Sequence, residues 1–370
     1  MAGIYFHIPF CKTRCVYCDF FSSTKVDEID EYVEALCQEL RERKEYLKGH
    51  SIETIYFGGG TPSQLSAGNF EKIFRTLTEI NIHCTASQEI TLEANPDDIT
   101  PEYLDALKNL PLNRISIGIQ SFNEEELVFL KRRHNVQSAI RAVRLCQERK
   151  FENISIDLMY GLPNQTMKSW KSTIRQAIAL NVQHISAYHL TYEESTPLFD
   201  LLQGSSIQIL DEELSLALFE VLIDQLTGAG FEHYEISNFA QPGYASRHNS
   251  AYWNGTPYLG IGASAHSYNG VSRQWNQRIS VVGYRKQGVE IEILDEKAIF
   301  NDFIITRLRT LKGIDLEELQ QLFGKEKKTC CLQQANKYLS NQYLELANNH
   351  LRLSRKGIFV SDGIMADLLW

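Results

Sequence analysis

Long apolar runs, extended basic runs, internal repeats and low-complexity tracts are all absent from this 370-residue sequence. No basic segment marks the N-terminus as a secretion signal, and the apolar run at residues 4–8 is far too short to span a membrane. The net charge is −9, and the basic cluster Lys131-Arg132-Arg133 is too short to form the basic face that nucleic-acid binding needs. We therefore expect a globular protein with no nucleic-acid partner and no transmembrane segment.

A disulfide framework is also missing, although the chain has eight cysteines. Five of them are scattered along the chain, at Cys37, Cys84, Cys146, Cys330 and Cys331. Scattered cysteines in a chain of this size are typical of reduced thiols in a reducing compartment. The sequence therefore predicts a cytoplasmic location.

Apolar, β-rich runs alternate with helical patterns through the first half of the chain. The predicted strands are Ile4–Ile8, Thr54–Phe57, Glu89–Leu92, Arg114–Ile119, Ile154–Met159 and Ile185–Leu190. The predicted helices are Ile29–Tyr46, Phe70–Ile80, Pro101–Leu107, Ser138–Glu148 and Met167–Ala179. Six consecutive βα units predict an α/β protein with a parallel sheet, wound as a partial (β/α)6 TIM-type barrel. Its functional face is expected at the carboxyl ends of the strands.

The pattern changes after the sixth predicted strand, and this change suggests three regions. Residues 1–230 form the partial barrel, which ends with a further long helix at Asp211–Leu226. Residues 231–297 are rich in Gly, Asn, Tyr and Trp and are predicted to be an extension of loops and strands. Residues 298–370 are predicted to be a small α+β, winged-helix-like domain with a hairpin at Tyr343–Leu353.

Three cysteines, Cys11, Cys15 and Cys18, follow the first predicted strand in a C-x3-C-x2-C pattern. A structural zinc ion takes four protein ligands, and neither a fourth Cys nor a His completes a local site here. Iron–sulfur clusters normally take four cysteines, so three leave one iron open to a small molecule. The spacing therefore favours a [4Fe-4S] cluster with one open iron over a zinc site.

This cysteine pattern resembles the signature of the radical S-adenosylmethionine (SAM) superfamily. The resemblance implies that the open iron chelates the amino and carboxylate groups of SAM. It implies that an electron from the reduced cluster cleaves SAM to a 5′-deoxyadenosyl radical, with a reductant such as flavodoxin or ferredoxin as a partner. It also implies the partial-barrel fold.

Glycines and polar residues stand where the predicted strands end. Gly58-Gly59-Gly60-Thr61-Pro62 follows the second strand, where glycines let the backbone approach a ligand closely or simply form a tight turn. Glu93 and Gln120 end the third and fourth strands, and Asp157 lies within the fifth. A polar side chain in an apolar strand is costly without a partner. A local hydrogen bond would explain any one of these residues. All three together, on successive strands, predict a site that binds the hydroxyl and ammonium groups of one ligand.

The resemblance extends to one branch of the superfamily, the oxygen-independent coproporphyrinogen III oxidase-like proteins. It rests on the segments Tyr5–Cys11, Phe57–Pro62, Thr91–Pro96, Gly118–Asn123 and Asp157–Pro163 and covers essentially the whole chain. It implies SAM contacts from Tyr5, Gly59, Gly60, Thr61, Glu93, Gln120, Arg132 and Asp157. The family usually has Gly before this arginine and His two residues after it. Here His134 is present, but Lys131 replaces the glycine.

Two features distinguish the oxidases of this branch from its heme chaperones. The cysteine pattern of the oxidases is C-x3-C-x2-C-x-C, with a fourth cysteine two residues after the third. This sequence has Phe20 at the position of that fourth cysteine. The segment Arg247–Trp253 resembles the H-N-x-x-Y-W motif of the chaperones, which bind heme and pass it to heme-accepting proteins. Histidine is a common axial heme ligand, so His248 is a candidate ligand, with Tyr252 and Trp253 offering flat apolar faces in the same loop.

The residues leave three functions open. Heme binding and delivery to recipient proteins is preferred. The first alternative is an enzyme that oxidatively decarboxylates two propionates of coproporphyrinogen III, and the second is a radical SAM enzyme with an unrelated substrate. Candidates for a second axial ligand, His7, His189 and His233, are not ranked by the sequence. The Gly-Ala-His stretch Tyr258–Ser267, which contains His266, resembles both branches and does not discriminate between them.

Overall fold

Six parallel strands form the central sheet of the protein. The computed structural model describes residues 1–278 and 280–370. The strands are β1 (Ala2–Ile8), β2 (Ile52–Gly59), β3 (Glu89–Ala94), β4 (Arg114–Gln120), β5 (Ile154–Tyr160) and β6 (His184–His189). They pair in chain order, each strand parallel to the next. The six predicted strands and the predicted (β/α)6 arrangement are confirmed.

Helices connect these strands. They are α1 (Ile29–Glu42), α2 (Ala67–Glu79), α3 (Pro101–Leu107), α4 (Glu124–Phe129), α5 (Val136–Glu148) and α6 (Met167–Ala179). Ser66, Asn135 and Thr166 begin α2, α5 and α6 with reciprocal capping boxes, which are signals local to the sequence. Consequently the five predicted helices are confirmed, although α1 ends at Glu42 rather than Tyr46 and the short α4 was not predicted. Short 3₁₀ turns lie at Val26–Glu28, Pro62–Gln64, Pro96–Asp98 and Gly283–Gln287.

The predicted extension adds strands to both edges of the central sheet. The elements after β6 are α7 (Pro197–Gln203), α8 (Glu212–Gly228), β7 (Glu232–Glu235), β8 (Asn238–Ala240), α9 (Arg247–Trp253), β9 (Tyr258–Ile261), β10 (His266–Tyr268), β11 (Ser272–Asn276) and β12 (Val289–Ile293). On one side β8 pairs antiparallel with β6, and on the other β9 pairs parallel with β1. The result is one sheet of 12 strands in the order β12-β11-β10-β9-β1-β2-β3-β4-β5-β6-β8-β7.

The motif segment at residues 247–253 was predicted as a loop, and this prediction is wrong. It forms the helix α9, which Ser246 caps by accepting a hydrogen bond from the Asn249 backbone N–H at 3.2 Å. The helix has only seven residues, too few to be stable alone, so packing against the barrel stabilises it. That packing is invisible in the local sequence pattern.

The C-terminal region forms a small α+β unit. Its elements are α10 (Glu296–Leu308), β13 (Ile314–Asp315), α11 (Leu316–Ser340), β14 (Leu344–Ala347), β15 (His350–Leu353), α12 (Arg355–Ile358) and α13 (Ser361–Leu368). The predicted hairpin is confirmed as β14 and β15, which with β13 make a three-stranded antiparallel sheet. Gly324, with a φ of 85°, interrupts α11.

Two large apolar cores hold the described residues together. One packs β1 and β2 against α1 and α2, and includes Phe6, Phe57 and Tyr32. The other joins the second half of the barrel to the C-terminal unit, so that Leu222 of α8 and Leu351 of β15 belong to one cluster. Across residues 1–278 and 280–370, every helix is too short or too polar to cross a membrane.

Candidate functional site at the carboxyl ends of the strands

The loop after β1 carries the three cysteines of the motif, and all three thiols are partly buried. The Cys11 Sγ accepts a hydrogen bond from the Thr61 hydroxyl at 3.3 Å. The Cys15 Sγ accepts one from an Arg132 guanidinium nitrogen at 3.2 Å. The Cys18 backbone N–H donates to the Cys15 carbonyl at 3.4 Å. The loop is thus tied both to the glycine turn after β2 and to the segment after α4.

The donor set of this loop fits an iron–sulfur cluster. Burial raises the pKa of the Cys11 and Cys18 thiols, although nearby arginines oppose the rise, so a thiolate here needs a positive centre to balance it. Three unpaired thiols in one loop are the ligands that iron–sulfur clusters use. In the described parts of the chain, no three His, Cys, Asp or Glu side chains converge as a single metal ion would require. A cluster spreads its cysteine ligands over several irons and does not require that convergence.

Each of three parallel strands is accessible at one position only, and that position is a predicted SAM residue. In β1 every residue is buried except Tyr5, in β3 every residue except Glu93, and in β5 every residue except Asp157. All three side chains are therefore partly accessible on the inner face of the barrel, while their neighbours along each strand pack into the cores. This arrangement brings together side chains that lie about 150 residues apart in sequence.

Glu93 is held in a polar cradle. Its carboxylate accepts hydrogen bonds from the Tyr56 hydroxyl at 2.7 Å and from the Gly59 backbone N–H at 3.2 Å. Burial, helped by the nearby Asp157 carboxylate and opposed by the hydrogen bonds from Tyr56 and Gly59, raises the pKa of Glu93 to about 7. Burial also raises the pKa of Asp157. Two carboxyl groups with raised pKa values form a site that a cationic ligand would stabilise.

The glycine turn after β2 leaves no room for side chains. Gly59 has a φ of 104°, and a Cβ atom there would lie 2.4 Å from the His7 Nδ1. A Cβ atom at Gly60 would lie 2.8 Å from the Ile8 carbonyl oxygen. The Gly60 N–H donates to that same oxygen at 2.9 Å, and the Thr61 N–H donates to Phe10 at 2.8 Å. The turn therefore packs directly on the strand that leads into the cysteine loop.

Gln120 and Arg132 meet where β4 ends. Gln120 has a φ of 71° and follows an irregularity in the pairing of β4 with β5, a strained conformation of the kind that clusters at functional sites. Arg132 donates to the Gly118 carbonyl at 2.6 Å as well as to Cys15. Lys131 has a φ of 54°, in the left-handed region that glycine adopts without strain. This geometry explains why glycine is usual at that position and shows that lysine reaches it at a conformational cost.

His248 lies at the opposite end of the barrel from the cysteine loop. Its side chain is 2% exposed. The ring Nδ1 is 2.8 Å from the Thr54 hydroxyl, and the ring Nε2 is 2.9 Å from the Tyr252 hydroxyl. The ring stacks on Tyr56 with a centroid separation of 4.8 Å. Thr54 stands near the start of β2, so α9 closes the barrel at the amino ends of the strands.

In this conformation His248 has no ring nitrogen left for a heme iron. Ligation by His248 would break both of its hydrogen bonds within the described structure. Burial also lowers its pKa to about 3, so the ring is neutral at neutral pH. Its role as a heme ligand stays a prediction.

The aromatic faces of the motif are largely covered. Tyr252 packs edge-to-face against His248 and Tyr258, with centroid separations of 5.0 Å and 4.7 Å. The Arg309 guanidinium lies 4.8 Å from the centre of the Trp253 ring. Trp253 lines a cavity of about 530 Å³ between α9 and the C-terminal unit. In this conformation the motif joins the barrel to that unit through the contacts of Trp253 with Arg307 and Arg309.

The sequence interpretation missed Tyr56 and Arg114, which shape the site, and gave His7 only as a candidate axial heme ligand. Tyr56 binds Glu93 and stacks on His248. Arg114 is 2% exposed at the start of β4. Its charge opposes the rise that burial causes in the pKa values of Glu93 and Asp157, and it adds to the fall that burial causes in the pKa of His248. His7 binds the Tyr5 hydroxyl and the Phe21 carbonyl. Alternation along β1 and β2 would have placed His7 and Tyr56 on one face, but no sequence signal distinguishes a buried Arg114 from a strand-end arginine at the surface.

Residues 5–177 match the radical SAM superfamily, and residues 294–360 match the HemN C-terminal domain. The solved structure of coproporphyrinogen III oxidase (HemN) from Escherichia coli superimposes with a TM-score of 0.84 over 99% of this chain and 89% of that chain, at 24% identity. The barrel, the cysteine loop and this superposition define a protein with the radical SAM fold.

Similar proteins of known function show which family within the radical SAM proteins this chain resembles. The heme chaperone HemW of Lactococcus lactis is 31% identical over 99% of this chain and 96% of its own length. The Bacillus subtilis HemW is 36% identical over 88% of each chain, and the Escherichia coli HemW is 40% identical over 71% of this chain and 69% of its own. This chain therefore belongs to the HemW family of radical SAM proteins.

Proposed function

We propose that this protein binds heme and delivers it to heme-accepting proteins, and that it does so as a radical SAM protein. The observation that carries the proposal is the similarity to proteins named heme chaperone over nearly the whole chain. Phe20 supports it, because a phenylalanine, 61% exposed beside the cysteine loop, stands where the oxidases have a further cysteine.

We assign the [4Fe-4S] cluster to Cys11, Cys15 and Cys18. We assign SAM to the inner face of the barrel at Tyr5, Glu93 and Asp157, with the other contacts at Gly59, Gly60, Thr61, Gln120 and Arg132. When bound and reduced, a cluster held by these cysteines would supply the electron for SAM cleavage, and a flavodoxin or ferredoxin would be its reductant. The protein's own residues bind and orient SAM: Glu93 and Asp157 offer negative charge to its cationic groups, while the glycine turn lets backbone approach it.

Affinity for SAM should rise with pH and level off above neutrality. Glu93 has a raised pKa of about 7 in the protein without SAM, so below that pH it must release a proton before its carboxylate can meet the cationic ligand. Affinity therefore increases as pH rises towards the pKa and becomes flat above it. Anaerobic calorimetry at roughly pH 6, 7 and 8 measures this dependence, one unit on either side of the pKa.

The Glu93→Gln variant should bind SAM more weakly and lose most of the pH dependence, because glutamine has no proton to release. Glu235→Gln is the matched control, since Glu235 is a buried carboxyl with a raised pKa on β7, away from the site. It should keep the wild-type profile. A wild-type affinity that is constant from pH 6 to 8, at equal cluster content, would remove Glu93 from the proposed site.

The carrier function and the enzymatic alternative predict different products. Anaerobically reconstituted protein should bind hemin with a Soret band that saturates on titration. Incubated with SAM, a reductant and coproporphyrinogen III, it should form no more protoporphyrinogen IX than the Cys15→Ala variant does. Product above that background would favour the decarboxylase, and the absence of saturable hemin binding would contradict the carrier.

A further inference from the structure

We propose that heme binds in the cavity at His266, Trp275 and Arg278, with His266 as an axial ligand and Arg278 paired with a propionate. This inference rests on the proposed function and adds the site at which the heme is held. The proposed axial ligand is therefore His266, an exposed histidine at the carboxyl edge of the sheet, and not the buried motif histidine His248.

The cavity lies at the same edge as the cysteine loop. Strand β9 runs parallel to β1, and the chain turns after Ile261 to begin β10 with His266. His266 pairs across the sheet with Trp275 of β11. Next to them is a cavity of about 520 Å³, within the range of about 300–1,000 Å³ that is usual for ligand sites.

His266 has the properties that an axial ligand needs. Its side chain is exposed, and within residues 1–278 and 280–370 neither ring nitrogen has a hydrogen-bond partner. Although the residue is exposed, its ring is partly desolvated by the neighbouring strands, and this desolvation together with the charges of Arg278 and Arg273 lowers its pKa, which favours the neutral imidazole that binds iron. By contrast, His248 and His184 each have partners at both ring nitrogens.

Trp275 orients that ring. The two ring centroids are 5.9 Å apart and the planes differ by 23°, so the indole stacks on the imidazole. An axial imidazole stands across the porphyrin plane, and the stacked indole would therefore meet the macrocycle edge-on. Edge-to-face contact is one of the geometries that aromatic groups prefer.

Arg278 supplies positive charge at the rim of the cavity. Its Nε donates to the Ser264 hydroxyl at 3.0 Å, which leaves the two terminal nitrogens pointing away from that bond. Guanidinium groups bind carboxylates with paired hydrogen bonds. Glu290 also lines the cavity, but its carboxylate already accepts a hydrogen bond from Gln277 at 2.6 Å.

The cavity borders the proposed SAM site through His7. Strand β9 pairs with β1 as far as Phe6 and Ile261, and a Cβ atom at Gly262 would lie 2.7 Å from the His7 carbonyl oxygen, so the turn that leads into β10 packs against His7. Burial, with the charges of Arg278 and His266 as smaller causes, lowers the pKa of His7 to about 4. His7 in turn contacts Tyr5 and the Phe21 carbonyl beyond the cysteine loop. Heme in this cavity would thus lie beside the SAM site rather than beneath the barrel.

Hemin titration of the cluster-loaded protein tests the site. His266→Ala should weaken hemin binding about tenfold or more and should shift the Soret band and the ferric-heme electron paramagnetic resonance spectrum. Added imidazole should restore the spectrum, because it replaces the lost ligand. Arg278→Gln should weaken binding without changing the spectrum.

Matched controls separate this site from the others. His83→Ala and Arg141→Gln remove an exposed histidine and an exposed arginine elsewhere and should bind hemin as the wild type does. Retained cluster absorption and SAM affinity show that each variant is folded. If the wild type binds hemin but His266→Ala binds it with an unchanged spectrum, the inference is overturned and the carrier function stands. Loss of the spectrum in His248→Ala or His189→Ala instead also overturns it, and a wild type that binds no hemin refutes both.

Discussion

The Cys15→Ala variant should contain essentially no iron or sulfide after anaerobic reconstitution and should lack the broad visible absorption of a [4Fe-4S] cluster. The loop provides only three cysteine ligands, so removing one leaves two ligands for the four irons of the cluster. Arg132 also loses the Cys15 sulfur that accepts its hydrogen bond, so its positive charge has one partner fewer in a partly buried position. SAM binding should fall with the cluster, because the open iron is one of its proposed anchors.

Cys330→Ala is the control for Cys15→Ala. Cys330 is exposed on α11, in the C-terminal unit, and has no connection with the loop after β1. This variant should carry wild-type iron and sulfide. Far-ultraviolet circular dichroism should be unchanged in both variants, since neither thiol belongs to an apolar core. A normal iron and sulfide content in Cys15→Ala would refute the cluster assignment.

The Gly59→Ala variant should bind SAM at least about tenfold more weakly, a loss of roughly 1.4 kcal/mol, while it keeps its cluster. Two costs combine. A left-handed φ of 104° is costly for an L-residue, by roughly 1–2 kcal/mol. In addition, the new Cβ atom would lie 2.4 Å from the His7 Nδ1, so the ring must move and release the Tyr5 hydroxyl. Anaerobic calorimetry, with iron and sulfide measured on the same samples, gives the result.

Gly49→Ala separates the two costs. Gly49 also has a left-handed φ, of 85°, but a Cβ atom there would meet nothing within 4 Å. This variant should lose some stability and keep wild-type affinity for SAM. If Gly59→Ala behaves in the same way, the glycine turn serves only to reverse the chain, and the backbone approach to SAM that we propose there is incorrect.

Local signals account for most of what could be predicted of the fold. Several helices begin with a capping residue that contacts backbone within four residues, at Ser66, Thr100, Asn135 and Thr166. Because these contacts are local, the start of each helix can be predicted from the sequence. The edge strands β7–β12 were harder to predict, because short strands depend on the neighbours they pair with. The helix α9 was missed for the same reason, since its seven residues are stabilised by distant partners such as Thr54 and Glu89.

The C-x3-C-x2-C spacing and the six apolar strands are local patterns, and the sequence by itself therefore determined the fold class and pointed to a radical SAM protein. The positions of the histidines were decided only by the tertiary structure. His248, the motif histidine, is buried at the amino end of the barrel. His266 lies in a stretch that did not distinguish the oxidases from the heme chaperones, and it is exposed beside a cavity at the carboxyl edge of the sheet. Burial and hydrogen-bond partners are set by elements far away along the chain, such as Thr54 and His248, which are 194 residues apart. A one-dimensional pattern does not encode which strand ends meet.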